Sequence, residues 1–348
     1  MQALCEARPE AGGGCHRMTV AAMSISDLVR LMSDGDFHSG QVLGERLGVS
    51  RTAVWKQLRK VEDMGLDVEC IRGRGYRLLD PPEPLDGASI VARLGRDARQ
   101  HLRHLFVEDA LDSTNTFLLE RFAQGAGHGE VCITERQLQG RGRRGRSWHS
   151  EWGGSIHFSI GWQFESGVAA LEGLSLATGV IMAELLESYA IGVRLKWPND
   201  LIAPGSDGMG KLGGVLVEVR GDVSGPCQAV IGVGVNVRLS KTSRSTIGQP
   251  VATLHDSRPE MSRNILVAQM VEAHLRMLTA FERDGFAAWQ PEWERYHLHA
   301  GERVRIIQGD CVYEGMAEGV DGVGNLIVDV DGRRLRFSGG EVSLRGHT

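Results

Sequence analysis

Three prolines and two acids in five positions, Asp80-Pro81-Pro82-Glu83-Pro84, decide the gross organisation of this chain. Each proline lacks a backbone donor and fixes φ, so the run suits neither a helix nor an interior strand and reads as a stiff extended connector. A short unit must fold before it and a longer one after it. With 348 residues, 42% of them hydrophobic, the chain can bury two or three separate cores. We expect a first domain at 24–79, the connector at 80–88, a large domain at 89–299 and a small one at 300–348. Residues 1–23 are expected to be a disordered extension, because Met1 to Arg17, with Gly12-Gly13-Gly14, offers too little apolar surface to offset its ordering entropy.

In the short unit, Ile25, Leu28, Val29 and Met32 fall at helical spacing, and Asp34-Gly35-Asp36 breaks the run. Ser39-Gly40 opens a second helix that ends at Gly48-Val49-Ser50, and Ser50 can cap a third from Arg51 to about Met64 with Val54, Leu58 and Val61 inward. Two short helices around a glycine turn resemble a helix-turn-helix. Val68 to Leu79 then reads as two strands around Arg72-Gly73-Arg74-Gly75, a basic wing in which Arg72, Arg74 and Arg77 face no local carboxylate. In such a module Arg51, Thr52 and Gln57 approach base edges, while Lys56, Arg59, Lys60, Arg72 and Arg74 supply the positive surface for phosphate. A small helical bundle that binds protein or caps the next domain is the competing reading. Trp55, beside the basic residues, is expected to pack rather than to stack on a base.

Beyond the connector, strand-like runs (Leu105 to Val107, Glu130 to Thr134, Ser155 to Trp162, Val193 to Leu195, Val215 to Val219, Ala229 to Val237) interleave with helical ones (Ser113 to Ala123, Leu171 to Tyr189, Ser262 to Asp284), giving a mixed α+β domain. His157 falls opposite Ile156, Phe158, Ile160 and Trp162 and reads as a hydrogen-bonded structural histidine. Short strands from Glu302 to Leu344, separated by Gly and Asp turns, predict a small β barrel.

The run Gln139-Gly140-Arg141-Gly142-Arg143-Arg144-Gly145-Arg146-Ser147-Trp148 lies between two of these strands, and no fold requires it. Glycine lets backbone approach a ligand, and arginine offers forked, permanently charged donors, so the natural guest is a polyphosphate. Elsewhere, Gly205 to Lys211 matches G-x-x-x-x-G-K, but Leu212 stands where a P-loop needs Ser or Thr, and that reading fails.

GRGRRGRSW, followed by KWPND at Lys196 to Asp200 and GKLGGVLVE at Gly210 to Glu218, resembles biotin protein ligase, and with the N-terminal module the chain resembles the bifunctional ligase and biotin operon repressors, from about Ile25 to Arg345. The resemblance implies a winged helix-turn-helix, a central α+β ligase domain of the biotin/lipoyl ligase and class II aminoacyl-tRNA synthetase type, and an SH3-like C-terminal barrel. It implies biotin and ATP as substrates with Mg2+. Ser113, Thr114, Asn115 and Gln137 would hold the biotin ureido ring; Arg141, Gly142, Arg143 and Lys211 the carboxyl group and forming acyl phosphate; Arg144, Trp148, Lys196, Asn199, Asp200 and Asn236 the nucleotide. Arg141, Arg143 and Lys211 would be catalytic. The implied partners are the biotin carboxyl carrier protein of acetyl-CoA carboxylase and, for a homodimer, double-stranded operator DNA.

Net charge −5 excludes a bulk polyanion binder, so DNA contact must come from the local basic surface. The six scattered cysteines show no zinc spacing and suggest a reducing compartment, hence a cytoplasmic protein; no apolar run is read as a membrane span or secretory signal. Three alternatives stay open: a regulator that binds an acid without catalysis, a ligase whose helix-turn-helix does not bind DNA, and a lipoate ligase-like enzyme.

Overall fold

The computed structural model describes residues 25–222, 224–308, 311–338 and 342–346; the expected extension at 1–23 lies outside them. Helices α1 (Ile25–Leu31), α2 (Gly40–Leu47) and α3 (Arg51–Asp63) precede the hairpin β1 (Val68–Ile71) and β2 (Gly75–Leu78). Ser39 and Ser50 cap α2 and α3 through their hydroxyls, and Gly48 ends α2 at φ 68°, the left-handed conformation glycine adopts without strain. In the wing, Glu69 lies directly opposite Arg77 and accepts from its Nε at 2.5 Å. Arg77 is therefore paired, contrary to expectation, because antiparallel register sets the two side chains on one face.

The central domain runs α4 (Gly87–Arg93), α5 (Arg96–His101), β3 (His104–Leu111), α6 (Thr114–Ala123), β4 (Glu130–Gln137), β5 (Ser155–Phe164), α7 (Leu174–Glu187), β6 (Arg194–Lys196), β7 (Asp200–Gly205), β8 (Gly208–Gly221), β9 (Cys227–Asn236), α8 (Lys241–Thr246), α9 (Leu254–Ser257), α10 (Arg263–Asp284) and α11 (Gln290–Tyr296). Its seven strands are ordered β3-β4-β5-β9-β8-β7-β6, parallel only between β3 and β4. One face carries the large core: Ile156, Phe158 and Ile160 of β5 and Ile231 and Val233 of β9 pack with residues of α7 and α10. The segment Val168–Glu187 is apolar enough to cross a membrane by length and composition, yet its helix is largely buried in this core. The other face is half filled by α6, where Leu118, Leu119 and Phe122 meet Cys132 and Val230. Beyond α6 it carries Ser155, His157 and Ser159 paired with Asn236, Gly234 and Gly232. Small and polar residues leave a hollow there, and that hollow is the site.

The glycine-rich stretch from Ala203 to Gly210 is a hairpin: β7 and β8 pair up to Gly205 and Gly208. Strand β6 pairs β7 only at Asp200, Leu201 and Ile202, which leaves Pro204 beyond it, where a missing donor costs no ladder bond.

The C-terminal strands β10 (Arg303–Gln308), β11 (Cys311–Val320), β12 (Leu326–Val330), β13 (Arg333–Phe337) and β14 (Val342–Gly346) form one antiparallel sheet ordered β13-β12-β11-β10-β14. Among the described residues the edge strands β13 and β14 are not paired with each other.

The three units interlock. Trp152, from the central domain, is 1% exposed and completes the core of the N-terminal module beside Leu28, Val29, Leu58 and Val61; its indole N–H donates to Ser26 Oγ at 3.4 Å. The proline connector is extended but not free. Glu83 accepts from the Arg263 backbone N–H at 2.6 Å and Asn264 Nδ2 at 2.9 Å. Arg263 in turn donates to Glu83 O and to Glu135 Oε2, each at 2.8 Å, and Glu135 Oε1 accepts from the Leu85 N–H at 2.6 Å. Arg263 and Glu135 are both buried, so each satisfies a charge the other needs.

Candidate active site

The hollow is a cavity of about 780 Å³, and its two ends differ in chemistry. At one end Ser113 caps α6, and the helix presents Thr114 and Asn115 in its first turn. Gln137 Oε1 accepts from Thr114 N at 2.8 Å and lies 3.2 Å from its hydroxyl. Ser159 Oγ donates to Asn115 Oδ1 at 2.6 Å, and Asn115 Nδ2 donates to Glu218 Oε2 at 2.8 Å and Leu216 O at 3.2 Å. These side chains form one mesh of donors and acceptors fitted to a neutral polar ring. Ser159 and Glu218 belong to it although sequence reasoning missed them. Alternation marks both: Ser159 shares a face with His157, and Glu218 with Gly214 and Leu216.

The other end is cationic. Lys211 extends its ammonium to 2.7 Å from Asp200 Oδ1 and 5.7 Å from the Trp148 ring centroid. Arg143 reaches Asn199 Oδ1 at 3.5 Å, and Asn199 is fixed by donating Nδ2 to Val215 O at 2.9 Å. Burial, then the neighbouring Arg144 charge, lower the Arg143 pKa, so this guanidinium favours an anionic neighbour. Arg144 and Lys196 line the same cavity. Arg141 adds a cation beside the neutral end: Nη2 donates to Thr116 Oγ1 at 2.8 Å and faces Glu218 Oε1 at 3.5 Å.

The arginine run is a folded turn. Arg141 bridges Ser147, Gly142 N donates to Arg146 O at 2.7 Å, and Arg144 sits at φ 58°. Trp148 closes the cavity against β9, and a Cβ on Gly234 would meet its ring at 2.9 Å, while one on Gly232 would meet Asn115 Oδ1 at 2.3 Å. The glycines of Gly232-Val233-Gly234-Val235-Asn236 thus give clearance to two site residues. Asn236 Nδ2 donates to Lys211 O and Ala252 O at 3.1 and 3.2 Å, which fixes the backbone that carries Lys211. Thr246, Ile247, Gly248, Gln249 and Val251 supply a further wall, absent from the expected site because no local pattern marks it. His157 is hydrogen-bonded, as expected, and lines the cavity. Its Nε2 lies 2.7 Å from Ser150 Oγ, which accepts from Gln137 N, and burial plus the Arg263 charge bring its pKa down to about 3.

On the N-terminal module, Arg51, Thr52, Lys56, Arg59 and Lys60 are exposed along α3, and Arg72 and Arg74 are exposed on the wing. Arg74 and Arg77 stack on Phe37, 4.1 and 4.7 Å from its centroid, which anchors the wing. Gln57 turns aside, half-buried with Oε1 buried and unpartnered. Trp55 reverses the expectation: it is 49% exposed.

Comparison with known proteins agrees with this geometry. Residues 107–236 match the Biotin/lipoate A/B protein ligase family, 25–77 an HTH domain and 299–345 the Biotin protein ligase C terminal domain. The chain is 38% identical over 319 residues to the bifunctional ligase/repressor BirA of Escherichia coli, covering 91% of this chain and 96% of that one. It is 33% identical to the biotin--[acetyl-CoA-carboxylase] ligase of Mycobacterium tuberculosis, covering 74% and 95%. The biotin protein ligase of Aquifex aeolicus in complex with biotin and ATP superposes with a TM-score of 0.59 at 25% identity, over 71% of this chain and all of that one. The chain belongs to the biotin protein ligase family, in the group that carries an N-terminal helix-turn-helix.

Proposed function

We propose that this protein forms biotinyl-5′-AMP from biotin and ATP, transfers the biotinyl group to a lysine of a biotin carboxyl carrier protein, and represses transcription as a DNA-bound homodimer with the adenylate as corepressor. One observation carries the catalytic part: a single cavity joins the neutral mesh at Thr114, Asn115 and Gln137 to the cationic end at Arg143 and Lys211. A ureido ring and a carboxylate that must meet a phosphate need that pair of ends. A dithiolane ring would leave the mesh unpaired, which disfavours lipoate.

In the first step a carboxylate oxygen of biotin attacks the α-phosphorus of ATP and pyrophosphate leaves. Both reactants are anions, so Arg141, Arg143 and Lys211 lower the barrier by fixed positive charge, and Trp148 keeps water from the mixed anhydride. In the second step the carrier lysine amine attacks the acyl carbon, AMP leaves with the bonding pair, and the amine proton passes to solvent. Among the described residues no three His, Cys, Asp or Glu side chains group around a metal position. Mg2+ would arrive on the ATP phosphates, and the Asp200 carboxylate, which lines the cavity beside Lys211, would offer it an oxygen. Lys196, Asn199 and Asn236 complete the nucleotide end. The reaction and its acceptor belong to the cytoplasm.

The test is transfer itself. Purified protein with biotin, ATP, Mg2+ and an isolated carrier domain should biotinylate one carrier lysine, detected by a mass increase; lipoylation of that domain, or no modification, would contradict the reading.

A further inference from the structure

Helix α3 presents two unlike faces. Val54, Leu58 and Val61 are buried in the module's core, while Thr52, Trp55, Lys56 and Arg59, at i, i+3, i+4 and i+7, line the opposite, exposed face. Trp55 is the only aromatic residue on α3, and half of it is open to solvent. The Arg59 guanidinium lies 5.4 Å from its ring centroid and is itself drawn toward Glu62 at 3.7 Å. The indole is thus held upright from the helix by a stacked cation rather than by the protein core. The nearest acidic residues on α3, Glu62 and Asp63, fall in its last turn, so the surface around Trp55 is positive.

We propose that Trp55 is a sequence-reading residue of the helix-turn-helix, its indole making apolar contact with the 5-methyl group of a thymine in the major groove of double-stranded DNA. A recognition helix that enters the groove must bring its exposed face to the base edges, and the thymine methyl is the one apolar feature displayed there. Charge selects the partner: a large apolar ring set among Lys56, Arg59 and Lys60 matches a polyanion with apolar points on its floor, and a predominantly basic surface of this kind repels an equally basic second copy. Stacked Arg59 shields one side of the ring, so contact is directed to the other. The inference rests on the DNA-binding part of the proposed function and adds the residue that discriminates between bases.

The experiment uses the full chain with biotin, ATP and Mg2+, a randomised duplex pool, and the variants Trp55→Ala and Trp55→Phe. Biotin transfer serves as the folding control. The wild type should enrich sequences with a fixed thymine in each half-site. Trp55→Ala should bind the enriched duplex at least tenfold more weakly and accept any base at that position, with Trp55→Phe between the two. Replacing that thymine with deoxyuridine should weaken the wild type and leave Trp55→Ala unaffected. Enrichment of the same thymine by Trp55→Ala at equal affinity overturns the proposal while leaving DNA binding intact. A uniform loss of affinity with no change in base preference overturns it as well, as does a change in self-association alone. If the wild type enriches nothing, the DNA-binding reading falls and takes this inference with it.

Discussion

The Lys211 ammonium is held between the Asp200 carboxylate and the indole of Trp148, on backbone fixed by Asn236. In the proposed reaction a cation so placed would stabilise charge that develops at the carboxyl and phosphate oxygens. Lys211→Ala should lower kcat/KM for pyrophosphate release by about 10²- to 10³-fold, with the thermal midpoint nearly unchanged; an unchanged rate would remove Lys211 from the chemistry. Glu218 acts at the other end, accepting from Asn115 and facing Arg141. Glu218→Gln sets an amide where one charge serves both partners, and it should raise KM for biotin roughly tenfold, about 1.4 kcal/mol, with KM for ATP little altered in steady-state kinetics. The arginine run and Ser113-Thr114-Asn115 were legible because each is contiguous. Glu218 and Ser159 were not, because they meet Asn115 only after strands 103 and 44 residues away are brought to it.

At the scale of elements, the floor of the site depends on what β9 lacks. Gly232→Ala places a methyl group 2.3 Å from Asn115 Oδ1, so Asn115 must leave its hydrogen bond to Ser159. Biotin affinity by calorimetry should fall while ATP affinity holds. The helix-turn-helix and most strands follow from periodicity and caps, since Ser39, Gly48 and Ser50 mark helix ends by local chemistry. The β7–β8 hairpin is not legible in the sequence because glycine and Pro204 signal a loop in isolation, and only the shortness of β6 reveals that a proline is tolerated there. The segment after Trp148 has no periodicity, yet it connects everything: Trp148 closes the site, Glu151 accepts from Ser240 N at 3.1 Å, and Trp152 fills the N-terminal core. Trp152→Ala should destabilise that module by about 3–5 kcal/mol, read as an early transition in denaturant while the central domain stays folded.

Across the whole molecule, three buried histidines make stability depend on pH. Burial is the main cause that lowers His157 to about 3, and His274 and His297 each to about 4, from 6.5. A histidine whose folded pKa is depressed takes up its proton first in the unfolded chain. Stability is therefore intact above about pH 6.5 and falls as pH drops toward 4, by up to about 1.4 kcal/mol per pH unit for each histidine. His274→Gln should flatten this slope in denaturant titrations between those limits. In the proposed reaction one cavity joins a carboxylic acid to a nucleotide. The most direct measurement is mass spectrometry of the protein after incubation with biotin, ATP and Mg2+, alongside a pyrophosphate assay. One bound biotinyl-AMP and one pyrophosphate per chain are expected, both abolished by Arg143→Ala; pyrophosphate without a retained adenylate, or neither product, would rule out the proposed ligase reaction.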